Sequence, residues 1–309
     1  MKFHHYLLFW VFFFNFPFQM SQAQKTSLPV AQSIKICNKS PLSSCFWPNM
    51  RNIFQEIPGD LLATLKFTFH SSNYHSQGLT FAMTGAAIVI DEPITTILLK
   101  GQKITMRMGL TEKSWTPHTW QLPGFMIYDS IFSYLLPLIH GYAMFSNNSR
   151  LYRASYLSIK SWFYSIFFTI PFRFSFKRDY IRLGENNEIQ NSPWSSFWGS
   201  DDRTANYPGG LKLKSFPSFR SAMWFSVADI FSQEYKNTWL PYSLATTLTL
   251  LGKKHHWFSD ILFGAFLGVG ISRALQHHYY TQASTPEKNL KIYPTLAHDS
   301  VGLTVSWEN

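Results

Sequence analysis

Cysteine is nearly absent, with two in 309 residues. They are Cys37 and Cys45, and neither belongs to a Cys-x-x-Cys pair, so the chain carries no zinc-ribbon or dithiol redox signature. Charge is also scarce. Only 14% of residues are Asp, Glu, Lys or Arg, against 46% hydrophobic and 18% aromatic. A chain so poor in charge and so greasy is neither disordered nor a coiled coil, because burying its apolar surface offsets the entropy of ordering. Acidic residues are the scarcer sign, 17 against 27 Lys and Arg, for a formal net charge of +10. Repeats of about 20–50 residues are missing, which removes solenoids and propellers. The mean hydropathy of −0.09 argues against an ordinary multi-pass membrane protein. The positive charge is spread out and no nucleic-acid-binding motif occurs, so no nucleic-acid partner is expected.

What is present begins with Lys2, His4 and His5 ahead of an apolar run from Tyr6 to Phe18, followed by Ser21-Gln22-Ala23. That layout predicts a secretory signal peptide over residues 1–23, cleaved after Ala23; an uncleaved membrane anchor is the other reading. Export to the periplasm or a membrane-associated place in the cell envelope follows as an expectation. In an oxidising compartment Cys37 and Cys45 are close enough in sequence to close a small loop, whereas in the cytosol they would stay free. Residues 24–75 are polar and dotted with Pro and Ser, which predicts a loosely structured leader with one short helix near Asp60–Leu65.

From Leu79 onward apolar runs recur: Leu79–Ile90, Phe125–Phe145, Ser155–Phe172, Phe219–Phe231, Trp239–Leu251 and Trp257–Leu275. They lack the strict alternation of a half-buried strand, which predicts helices and an all-α bundle. A single membrane span needs about 20 mostly apolar residues, so these runs suit core helices at least as well. Aromatic content and basic charge keep peripheral membrane contact open. Residues 173–216 break the pattern with Gly, Asn, Ser, Pro and a run of basic residues including Arg173, Lys177, Arg178 and Arg182. A loop of that length inside a compact domain is usually functional or disordered. It ends in Lys214-Ser215-Phe216-Pro217-Ser218, where Pro217 and Ser218 suit a helix start and its anion-attracting N-terminus. Beyond residue 280 lies a C-terminal tail, 281–309, with a strand-like alternation in Leu303–Trp307.

The chemistry-bearing stretch is Lys253-Lys254-His255-His256-Trp257-Phe258-Ser259-Asp260, continued by Gly264 and Gly268. On a helix His256 and Asp260 fall at i and i+4, so the carboxylate can hold one imidazole nitrogen and raise the basicity of the other, as a nucleophilic His requires. Taken alone, a capping or core histidine is the plainer reading of the pair. A zinc site is not expected, because no further His or Cys cluster supplies a third or fourth ligand at the usual spacing. Gly264 and Gly268, at small-xxx-small spacing, predict close packing against another helix.

These residues resemble the type 2 phosphatidic acid phosphatases, which share their fold with the vanadium haloperoxidases. The family carries K-x6-R-P, then P-S-G-H, then S-R-x5-H-x3-D. Here Ser215-Phe216-Pro217-Ser218 looks like the entry to the second motif, and His256 with Asp260 like the end of the third. Phe231–Tyr235 and Trp239–Tyr242 are similar to the inter-motif helix and turn of exported bacterial members, and Ile90–Ile94 to their first-helix exit. The resemblance covers roughly residues 75–280 and is strongest over 215–275. It implies a helical bundle over 76–280, hydrolysis of phosphate esters such as lipid phosphates, no cofactor, and phosphorylated lipid or another phosphate ester as partner. It also implies His256 as nucleophile, Asp260 as its orienting carboxylate, and Ser218 in the phosphate cradle.

The departures from the family pattern are as telling. The second-motif Gly is Phe219 and the general-acid His is Arg220. The third-motif Ser and Arg fall on Thr249 and Leu250. In the first motif Lys177 matches a basic residue often seen there, while Phe172 replaces the Lys and Asp179-Tyr180 replace R-P. A guanidinium does not release a proton near neutral pH, and Leu250 removes a bidentate phosphate clamp. Each such donor is worth on the order of 10²–10³ in rate and a general acid about 10²–10⁴, though the effects do not add. The expectation is therefore a phosphatase fold with weak or lost activity. The alternatives are an active phosphomonoesterase whose pocket is rebuilt from Arg220, Lys253, Lys254, Lys212 and Lys214, and a non-catalytic envelope binding protein.

Overall fold

The computed structural model describes residues 55–68, 70–107, 130–146, 148–176, 178–181, 189–190, 192–193, 205–206, 212–213, 215–251, 256–284, 289–297 and 300–308. The expected signal segment, Cys37, Cys45, Lys177 and Lys254 lie outside the described residues.

Eight α-helices are described. They are α1 (Ile57–Thr68), α2 (Tyr74–Val89), α3 (Asp91–Arg107), α4 (Ser130–Phe145), α5 (Ser149–Ser175), α6 (Phe219–Tyr235), α7 (Trp239–Leu251) and α8 (Phe258–Ser284). Two short antiparallel pairs accompany them. Ala205–Asn206 (β1) faces Lys212–Leu213 (β2), and Asn289–Ala297 (β3) pairs with Ser300–Glu308 (β4) in register Leu290 with Trp307. The described fold is thus helical, as the apolar runs predict, with a terminal hairpin. The strand expected around Leu303–Trp307 is one arm of that hairpin and pairs with β3.

Helix ends follow local chemistry. Asn148 caps α5 by accepting from the Leu151 amide at 3.0 Å, and Ser218 caps α6 by accepting from the Ser221 amide at 3.4 Å. Helix α6 stops at Lys236, whose φ of 54° is left-handed and breaks the helical run. Asp91 and Glu92 open α3, Asp60 falls in the first turn of α1 and Asp260 in that of α8, all favourable to the positive end of a helix dipole. The short helix expected near Asp60–Leu65 is present and longer than expected. Helix α1 covers the whole of Ile57–Thr68, burying Asp60 and Thr64.

Helix α8 is the axis of the bundle, packed against α6, α5, α1, α2 and α3. Its closest approach is to α6. A Cβ on Gly264 would stand 2.4 Å from the Ser218 carbonyl oxygen, and one on Gly268 would stand 2.0 Å from that of Ala222. Only glycine fits there. The apolar core forms around this axis. Phe225, Tyr242, Ala265 and Val269 join α6, α7 and α8, while Met144, Tyr152, Leu157 and Ile230 join α4, α5 and α6. Each fully buried aliphatic side chain of this kind is worth about 2 kcal/mol.

Among the described residues, nine charged side chains are buried. Asp229, fully buried on α6, accepts from Tyr242 Oη at 2.6 Å, Ser272 Oγ at 2.6 Å and Arg273 Nε at 2.8 Å. Lys160, buried on α5, pairs with Asp60 and with Glu56 at 2.6 Å, and so fastens α1 to the bundle. Outward faces are the reverse. Helices α2, α4 and α7 contain no Asp, Glu, Lys or Arg. They expose Phe81 and Val89, Leu138 and Tyr142, and Trp239 and Leu244 respectively. One described segment, Phe258–Thr281 within α8, is long and apolar enough by length and composition to cross a membrane, and 78% of its apolar window is buried inside the bundle.

Candidate functional site around His256

The two segments carrying the candidate residues meet. The Ser218 amide donates to the Asp260 carbonyl at 2.9 Å, and Ser221 Oγ donates to the Ile261 carbonyl at 2.6 Å. The start of α6 is thereby bonded to the start of α8, and Gly264 lets the backbones close on each other.

His256 does not lie on the helix, contrary to the sequence expectation. Helix α8 begins at Phe258, because Asp260 Oδ2 accepts from the Trp257 amide at 3.2 Å and caps the first turn from inside it. The pair still faces as the i, i+4 spacing predicts, with His256 Nδ1 3.5 Å from Asp260 Oδ2. The His256 side chain is buried, and the Tyr180 ring stands edge-on to it at 5.1 Å between centroids.

Asp260 is fully buried, and its second oxygen is taken by a residue the sequence reading left unassigned. Arg178 Nη1 donates to Asp260 Oδ1 at 2.9 Å and also to Ser259 Oγ. Its Nη2 donates to Asp91 Oδ2. Asp91 Oδ1 in turn accepts from the Ser259 amide at 2.7 Å, and Oδ2 accepts from Ser259 Oγ at 2.6 Å. Arg178, Asp91 and Asp260 are all fully buried, and the guanidinium lies 5.5 Å from the Trp257 ring. Burial pushes both carboxyls above the usual carboxylate range, and the Arg178 charge opposes that rise in each.

Arg178 belongs to a segment locked from behind. Its carbonyl accepts from the Ser215 amide at 2.9 Å, and the Asp179 carbonyl accepts from Trp257 Nε1 at 3.2 Å. Arg173, at the end of α5, is buried beside this segment. It donates from Nε to the Pro217 carbonyl at 3.2 Å and from Nη2 to Tyr180 Oη at 3.1 Å. Arg173 and Tyr180 have the K-x6-R spacing one residue on from the register that starts at Phe172. That spacing is the signal by which a basic residue at the site was findable. Phe172 itself packs in an aromatic group with Phe263, at 5.4 Å, which also takes in Phe216 at 4.9 Å.

No family model matches the chain, and no curated protein and no solved structure matches it either.

Of the six residues singled out from the sequence, His256, Asp260 and Ser218 stand together. Arg220 is half-buried on the first turn of α6, next to the cap residue Ser218. Ser218 is wholly buried, and its hydroxyl is used to cap its own helix. Lys177 and Lys254 lie outside the described residues. Among the described residues no group of three or more His, Cys, Asp or Glu side chains is placed to hold a metal ion. Chemically, the arrangement offers one oriented imidazole, a helix N-terminus and basic side chains close by in the chain.

Proposed function

We propose that the protein is a divergent member of the type 2 phosphatidic acid phosphatase kind, one that binds a phosphate ester at His256 and turns it over weakly or not at all. The observation that carries this reading is the meeting of His256–Asp260 with the capped start of α6. In the reaction implied by the resemblance, the imidazole Nε2 attacks phosphorus while Nδ1–H faces Asp260. The departing alkoxide then needs a proton. Arg220 occupies the position from which that proton would come, and a guanidinium does not supply it. Arg178 is engaged by two carboxylates, so it is not available as a phosphate clamp. The rewired alternative draws its support from Arg173, a buried cation whose bond to the Pro217 carbonyl brings it next to Ser218.

An envelope location against a lipid surface suits the uncharged, apolar outward faces of α2, α4 and α7. It would also bring lipid phosphates to the site.

The test combines binding with turnover. Inorganic phosphate is titrated by calorimetry, and phosphatidate and a chromogenic phosphate monoester are assayed for hydrolysis. Phosphate binding that is lost in His256→Ala, with hydrolysis near background, is the expected result. Hydrolysis at the rates of an intact phosphatase would overturn the impaired part. Neither binding nor hydrolysis would overturn the whole assignment.

A further inference from the structure

Asp91 lies far from the site in sequence, at the head of α3, and nothing in the His256–Asp260 pairing calls for it. The fold nonetheless brings it into the same buried group. One guanidinium serves two carboxylates, with Arg178 bonded to Asp260 Oδ1 through Nη1 and to Asp91 Oδ2 through Nη2. With both carboxyls ionised, Arg178, Asp91 and Asp260 carry a formal charge of −1 among them, and the imidazole sits on the far oxygen of Asp260. Ser259 holds Asp91 in place from both its amide and its hydroxyl.

A carboxylate whose charge is fully matched by an arginine does little for a neighbouring imidazole. A carboxylate that must share its arginine does more. We propose that Asp91 is a positioning residue of this site, which by drawing Arg178 away from Asp260 sets how much carboxylate charge His256 faces. The inference rests on the reading of His256 as the reactive group, but not on whether phosphate is its ligand.

Among the described residues, the other charged or titratable groups on the elements around His256 are these. Tyr180 and Asp179 sit on the Arg178 segment, Arg173 on α5 bonds Tyr180, and Arg220 is on α6. Glu92, next to Asp91, is exposed. It serves as the control.

The experiment is a proton NMR titration of the histidine ring signals in the full chain, with the His256 resonance assigned by its loss in His256→Asn. In Asp91→Asn the guanidinium passes wholly to Asp260, and the His256 midpoint is expected to fall by about one pH unit. Glu92→Gln is expected to leave it in place. Should Asp91→Asn fail to fold, Asp91→Asn with Arg178→Gln removes the buried pair together. That double variant restores the group's formal charge of −1 that Asp91→Asn alone removes, and it is expected to raise the midpoint above wild type, since Asp260 then faces the imidazole without a guanidinium beside it. An unchanged midpoint in either variant overturns the proposal, as does an equal fall in Glu92→Gln. A midpoint that shifts as expected in a protein that binds no phosphate keeps the Asp91 role and sinks the phosphate reading instead.

Discussion

Adding one methyl group to Gly268 tests the packing on which the site depends. The new Cβ would lie 2.0 Å from the Ala222 carbonyl oxygen and 2.8 Å from its carbonyl carbon. Both are backbone atoms of α6, so no side chain can swing away. To reach an ordinary contact the two helices must separate by more than about 1 Å, and overpacking of that kind costs about 1–3 kcal/mol. The upper end applies where backbone meets backbone. Against it stands the better helix propensity of alanine, about 1 kcal/mol. The net expectation for Gly268→Ala is a loss of about 2 kcal/mol.

Gly270 supplies the comparison two residues farther along the same helix. A Cβ there meets nothing within 4 Å, so Gly270→Ala is expected to gain up to about 1 kcal/mol from propensity alone. Thermal unfolding followed by circular dichroism separates the two. With about 2–4 °C per kcal/mol for a chain of this class, Gly268→Ala should melt about 4–8 °C below wild type and Gly270→Ala slightly above it. Equal stability of the two variants would refute the close approach of α6 and α8. The juxtaposition of Ser218 with Asp260 would then lose its support.

Two further expectations follow from other parts of the molecule. His140 is buried on α4, with Nδ1 2.9 Å from Ser155 Oγ, and burial pushes its pKa down to about 4. The folded chain therefore resists a proton that the unfolded chain accepts from about pH 6.5 downward. The stability this group contributes is present above pH 6.5 and is lost as pH falls toward 4, by up to about 3 kcal/mol. His140→Asn should lose less stability than wild type as pH falls from 6.5 to 4, and a wild-type-like acid slope in the variant would refute it. The apolar faces make a separate prediction. Leu138→Glu with Leu244→Glu, both at exposed positions, should leave the far-ultraviolet spectrum intact and sharply reduce co-sedimentation with phospholipid vesicles. Undiminished sedimentation would remove the case for a lipid-facing surface.

Most of the helices were legible because each of those carries a continuous apolar run. Trp239–Leu251 reads the same in sequence and structure, and Phe219–Phe231 lacks only its last turn, Ser232–Tyr235. Helix α3 was not legible as a helix. Its charged and polar residues, Asp91 and Glu92 through Lys103 and Arg107, do not form an apolar run, and only its exit-like start at Ile90–Ile94 attracted notice. At the site, local spacing carried His256, Asp260 and Ser218. The pairing partners did not announce themselves. Asp91 and Ser259 bond across 168 positions of sequence, and no periodicity or motif encodes such a contact. The register at the first motif was ambiguous for a related reason. A single basic residue in Arg173-Phe174-Ser175-Phe176-Lys177-Arg178 looks like any other until the fold shows which of them is buried and against what.

That distribution of buried charge bears on what the site can do. Arg178 answers two carboxylates already, and charge-assisted bonds of this kind are worth about 1.5–3 kcal/mol each. A phosphate that recruited Arg178 would have to break at least one of them and leave Asp91 or Asp260 buried without a cation, at a cost of several kcal/mol. The guanidinium thus works for the internal charge balance. Any anion at His256 must draw its neutralisation from elsewhere; Arg220 follows Ser218 by two residues, and Arg173 bonds the carbonyl of Pro217 just before it. On the proposed reading, a site whose imidazole faces a carboxylate, but whose fully buried arginine is committed to the fold, would recognise an anion better than it stabilises the extra charge that builds up as a phosphate ester breaks. Binding that outlasts catalysis is what the proposed function then predicts.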